Sequence, residues 1–184
     1  MKRILVSALL LGALAATPAL AQGRGQQPPP PKGPAGPNPA VAIPADKEIP
    51  LAQALDAAQT AIDACLKLSP RSSAAVAMVV DLNGNIKVQL AADGVGLPFF
   101  DYARRKAYTV LKKRMPSGQF GALPEVVALG RGAVIEGDPE LITFPGALPI
   151  TKGGEIVGVL SVSGPTGGND DLKCTEAGMA KLKL

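Results

Sequence analysis

The chain of 184 residues contains no histidine and no tryptophan, and only two tyrosines and four phenylalanines. Without histidine it has no side chain that ordinarily titrates near neutrality and lacks the commonest transition-metal ligand. Nor can it activate a serine or cysteine through an imidazole. A hydrolase reading is therefore poor. The remaining acids, bases and nucleophiles are carboxylates, lysines, tyrosines and two cysteines, in no recognisable catalytic motif. No Gly-Lys-Ser/Thr follows a glycine-rich turn, which excludes a P-loop, and Gly130-Arg131-Gly132 lacks the rest of a dinucleotide fingerprint.

Charge of one sign is also missing from the part that folds. The net charge of +4 comes from 19 basic and 15 acidic residues. Lys2, Arg3, Arg24 and Lys32 all precede residue 46, and no acidic residue does. The other 15 basic residues cancel the 15 acidic ones. Nothing in that balance favours nucleic acid as a partner.

Long hydrophobic runs are absent except at the start. Lys2-Arg3, the apolar run Ile4 to Ala16 and Ala19-Leu20-Ala21 have the order of a cleavable signal peptide over residues 1–21. The run is shorter than the roughly 20 residues a membrane span needs, and Pro18 interrupts it, so no stable membrane insertion is expected. The protein is expected to be periplasmic or secreted. Residues 22–48 are rich in Gln, Gly and Pro (QGRGQQPPPPKGPAGPNPA) and read as a tether with too little apolar surface to fold. One domain, 49–184, remains.

Along that domain, Leu51, Leu55, Ala58, Ile62, Cys65 and Leu66 recur at three- and four-residue spacing. Residues 50–68 thus read as an amphipathic helix stopped by Ser69-Pro70. Ala74 to Asp81 is an apolar strand, Asn83-Gly84 a hairpin turn, and Ile86 to Ala92 its partner. A second helix runs from about Pro98 to Arg114, with Phe99, Phe100, Ala103, Ala107, Val110 and Leu111 on one side and Pro116 as its stop. Leu123 to Leu129 suits a short helix and Glu136 to Pro139 a turn. Leu141 to Phe144 reads as a third strand. It leads into a hairpin of Leu148 to Thr151 and Ile156 to Val162 around Gly153-Gly154. Asn169 or Asp170 offers an N-cap to a last helix. The fold class is α+β, a five-stranded, mostly antiparallel sheet with packed helices.

Five pieces in this order resemble one family. Asp81-x-x-Gly84, Ala103 to Thr109 (ARRKAYT), Gly146 to Ile150 (GALPI), Gly158-x-x-x-Val162-Ser163-Gly164, and Asp170 with Cys174 and Ala177-Gly178 are similar to the GlcG/HbpS family, also called the haem-degrading or DUF336 domain. The resemblance implies a profilin-like α/β/α fold, homo-oligomers, and haem or a related tetrapyrrole as cofactor or ligand. It does not by itself imply an enzyme. The sequence departs from the family at Ala147, where Gly-Gly is usual, and a required positive φ there would strain an alanine. It also offers no histidine to hold iron.

A haem surface is then expected on the second helix, which carries aromatic walls and cations for propionates: Phe99, Tyr102, Arg105, Lys106, Tyr108, Thr109, Lys112 and Met115. Candidate iron ligands are Tyr102, Tyr108 and Met115, and Thr109 from the resemblance. The bland alternative is that the aromatics are core and the cations solvated. Lys106 has a structural alternative of its own, pairing with Asp81 or Asp101. Ser161, Ser163, Gly164, Asp170 and Asp171 either form an anion site at the last helix or cap it. An anion site would suit an enzyme or accessory factor acting on small hydroxy acids or aldehydes. A third reading is a plain assembly module. An oxidising compartment and the profilin-like packing of terminal helices implied by the resemblance pair Cys65 with Cys174 in a disulfide, the alternative being two buried thiols.

Overall fold

A computed structural model describes residues 42–68, 75–130, 132–164 and 167–184. The expected signal peptide, the tether up to residue 41, the Ser69-Pro70 stop, Ala74 and Arg131 lie outside the described residues. After a 3-10 turn at Ala45–Lys47 come α1 (Leu51–Leu68), β1 (Val76–Asp81), β2 (Ile86–Ala91) and α2 (Leu97–Lys113). Two short helices follow, α3 (Ser117–Gly121) and α4 (Pro124–Val127), where a single one was expected over 123–129. The chain closes with β3 (Ala147–Lys152), β4 (Glu155–Ser163) and α5 (Gly168–Met179).

The sheet is antiparallel with strand order β2-β1-β4-β3, and it has four strands rather than five. The expected strand at Leu141 to Phe144 does not form, and the reason lies in its hydrogen bonds. Ile142 N–H donates to Thr109 Oγ1 at 3.0 Å, while the Arg105 guanidinium donates to the carbonyls of Pro139, Glu140 and Leu141. Side chains of α2 thus satisfy backbone groups that a neighbouring strand would otherwise have to meet.

Both sheet faces are covered, which is why β1 and β4 read as unbroken apolar runs. Ala77, Val79, Leu160 and Val162 face α1 and α5. Val76, Met78, Val80 and Val159 face α2. Both expected hairpins form, and Gly153 and Gly154 carry the positive φ of 59° and 83° that a two-residue turn needs.

On α1 the buried stripe consists of Ala54, Ala57, Ala58, Ala61 and Ile62, whereas the expected Leu51 and Leu55 are exposed. Close approach decides this. A Cβ on Gly178 of α5 would lie 2.5 Å from the Ala57 carbonyl oxygen, so the two helices meet through small residues that exclude leucine. The disulfide Cys65–Cys174 closes the same contact across 109 residues of chain. Reduction, or Cys65→Ser with Cys174→Ser, should lower urea-unfolding stability by about 3–5 kcal/mol, the range for a loop of this length. Denatured but unreduced protein should show no thiol.

Candidate functional site

Helix α2 turns Ala103, Lys106, Ala107 and Val110 toward the sheet, so a lysine occupies a position in the apolar stripe. Its Nζ passes through that layer. It donates to the Val162 carbonyl at 2.9 Å and to Asp171 Oδ2 at 2.7 Å. Asp171 sits in the first turn of α5, where the helix dipole favours a carboxylate. Neither Asn169 nor Asp170 is the N-cap; Gly167 holds that place, with φ 101°. Lys106 does not use the sequence-expected Asp81 or Asp101. Asp81 accepts from the Asn83 and Asn85 amides of its own turn, and Asp101 pairs with Arg104.

The pair is sealed, with side-chain exposures of 2% for Lys106 and 3% for Asp171. Burial pulls the Lys106 ammonium below its ordinary value and pushes the Asp171 carboxyl above its own, each opposed by the other's charge. Oδ1 of Asp171 has no hydrogen-bond partner among the described residues, although the nearby Gly164 amide favours the carboxylate. Gly146 packs against both partners. Its φ is 122°, and a Cβ there would fall 2.7 Å from Asp171 Cβ and 2.8 Å from Lys106 Nζ. Its carbonyl accepts from Val162 N–H and from Thr175 Oγ1. The positive φ thus falls on Gly146, while Ala147 begins β3 without it, and the strain expected at Ala147 does not arise.

Two adjoining cavities meet at Phe144 and the N-terminus of α5. One, of about 260 Å³, is walled by Phe99, Tyr102 and Phe144 and reaches Lys106, Ser163 and Asp171. The other, of about 440 Å³, lies across Phe144 toward Val126, Val127 and Pro145. They share Phe144, Gly167 and Gly168 and so form one cleft. Tyr102 stands edge-on to both Phe99 and Phe144, with centroids 6.5 Å and 6.3 Å away.

A family model described as haem degrading protein HbpS-like matches residues 49–180. The chain belongs to the HbpS-like family. Among solved structures, HbpS is 27% identical over 82% of this chain and 99% of its own, with a TM-score of 0.63. A double mutant of HbpS from Streptomyces reticuli is 28% identical over 82% and 100%, also at 0.63. A haem complex of PduOC shares the fold at 20% identity, over 78% and 96%, with a TM-score of 0.56. No curated protein matches.

In this HbpS-like chain, the residues expected on one haem surface divide. Phe99, Tyr102 and Lys106 line the cleft. Tyr108 instead lines a separate cavity of about 250 Å³ beside Met78 and Leu111. Its hydroxyl donates to Asp138 at 2.9 Å, and burial followed by that carboxylate pushes it up to about 12, which disfavours a phenolate. Thr109 is fully buried, its hydroxyl donating to the Arg105 carbonyl and accepting from Ile142 N–H. Arg105 is committed to the 139–141 carbonyls, Met115 packs in the Phe120 cluster, and Lys112 is exposed. Ser161 Oγ donates to the Ala103 carbonyl and ties α2 to the sheet.

The sequence does not single out Phe144 or Gly146 as site residues, and it reads Asp171 as a cap or part of an anion site. The available signal was a lysine in an apolar stripe, which demands a buried partner. Removing one partner of this pair, by Lys106→Met or Asp171→Ala, should cost about 3–5 kcal/mol in denaturant unfolding. The double substitution should cost less than the sum by about 1–3 kcal/mol. Strict additivity would mean the two side chains do not interact.

Proposed function

We propose that this HbpS-like protein is exported, assembles into homo-oligomers and binds haem or a related tetrapyrrole in the cleft around Phe144. The observation that carries the reading is the joined pair of cavities, about 260 Å³ and 440 Å³, with Phe99, Tyr102 and Phe144 on their walls. Their scale falls within the roughly 300–1,000 Å³ typical of sites for drug-sized ligands. The family description and the haem complex of PduOC supply the ligand class. Export rests on the Lys2 to Ala21 pattern and is supported by the disulfide, a bond that persists in oxidising compartments. Assembly rests on the family resemblance.

The residues fit such a ligand. Apolar and aromatic walls suit the macrocycle, and the α5 N-terminus at Gly167 and Gly168 presents backbone amides suited to a propionate. Tyr102 is the candidate iron ligand that lines the cleft; haem bound there would supply a redox-active iron centre. The buried Lys106–Asp171 pair keeps the α5 terminus fixed against α2. The reading is of a binding protein, with no reaction assigned.

Haemin titrated into the purified protein at micromolar concentration should give a saturable shift of the Soret band. Phe144→Ala should weaken it about tenfold, equivalent to about 1.4 kcal/mol. Tyr102→Phe should alter the ferric spectrum, and Tyr108→Phe should leave both unchanged. A linear, unsaturated response would overturn the proposal.

A further inference from the structure

We propose that Arg105 is a positioning residue for the ligand cleft: it touches no ligand and acts through Phe144, the ring on which the two cavities meet. Its effect on binding rests on the tetrapyrrole reading, whereas its placement of the ring does not. Residues 141–144 are in neither helix nor strand, so no strand partner fixes Phe144. Upstream, the Arg105 guanidinium donates to the carbonyls of Pro139, Glu140 and Leu141 at 2.6, 3.3 and 3.1 Å. Downstream, Pro145 is pressed against Gly168, where a Cβ would lie 2.6 Å from Pro145 Cδ, and Gly146 is pressed against Lys106. The ring is thus set between two backbone anchors, one on each side in sequence.

The downstream anchor is bound up with the sealed Lys106–Asp171 pair, while Arg105 is only half-buried. Removing its guanidinium lets water take the three carbonyls and leaves that backbone held from α2 by Thr109 at Ile142. The segment then loses a tie to α2 without losing core. Arg105 lines neither cavity of the cleft, and its donors are already used, so it is not a free cation for a propionate. A lysine at this position keeps the charge but gathers its donors at one point, and it cannot span three successive carbonyls as the planar guanidinium does. An arginine that met an anionic ligand directly would instead be largely replaceable by lysine.

Two measurements test this, one without ligand. Protein labelled with 4-fluorophenylalanine carries a fluorine at each of its four phenylalanines, and the signal lost in Phe144→Ala reports that ring. In Arg105→Ala and Arg105→Lys this signal should shift by more than its linewidth or split. In haemin titrations read from the Soret band, each Arg105 variant should weaken binding about fivefold, and should cost less than about twofold more once Phe144 is alanine. An unmoved Phe144 signal, full affinity in Arg105→Lys, or an undiminished loss in the Phe144→Ala background overturns the inference. If Arg105→Ala does not fold, Arg105→Lys carries both measurements. If haemin does not bind the wild type, the tetrapyrrole reading falls and the fluorine signal decides whether Arg105 places the ring. If haemin binds and the loss is independent of Phe144, only the positioning role falls.

Discussion

The buried contact between Lys106 and Asp171 is the constraint on which the rest of the site depends. It joins the middle of α2 to the first turn of α5 and, through the Val162 carbonyl, to the end of β4. Only a glycine fits just before β3, because Gly146 lies against both side chains with a positive φ. Such a pair is a poor source of net stability, since desolvating two charges offsets most of their attraction. What it provides is position: the mouth of the cleft is set by elements the pair holds in register.

Each half of the molecule uses a different device to bring helices onto the sheet. On the α1/α5 face, alanines and Gly178 allow close approach, and the Cys65–Cys174 bridge secures it. On the α2 face, polar side chains reach into the layer beneath: Lys106 to Val162, Ser161 to Ala103, Thr109 and Arg105 to the 139–142 segment. The second device leaves room above the sheet for a cleft.

The contrast also explains what the sequence made legible. Helices α1 and α2 and both hairpins follow from local periodicity and turn glycines, and the terminal-helix packing implied by the family resemblance paired the cysteines. The fifth strand was illusory because Leu141 to Phe144 has a strand's composition, while its partners are side chains some 35 residues earlier in α2. Leu51 and Leu55 misled for a related reason: hydrophobicity pointed to leucine, but the approach distance selected alanine. The expected haem residues cluster in one stretch of sequence but not on one face. At about 100° per residue, Phe99, Tyr102 and Lys106 fall together, while Tyr108 and Lys112 lie about half a turn away and Met115 lies beyond the left-handed Arg114 that ends α2. The structure separates them along that division.

Amide chemical-shift mapping with diamagnetic zinc protoporphyrin tests most directly whether the cleft braced by Lys106 and Asp171 is where ligand binds. The largest changes should fall at Phe99, Tyr102, Phe144, Gly167 and Gly168, the residues that enclose it. Changes centred instead on Tyr108, Leu111 and Ile86, around the cavity on the other side of α2, would contradict the account.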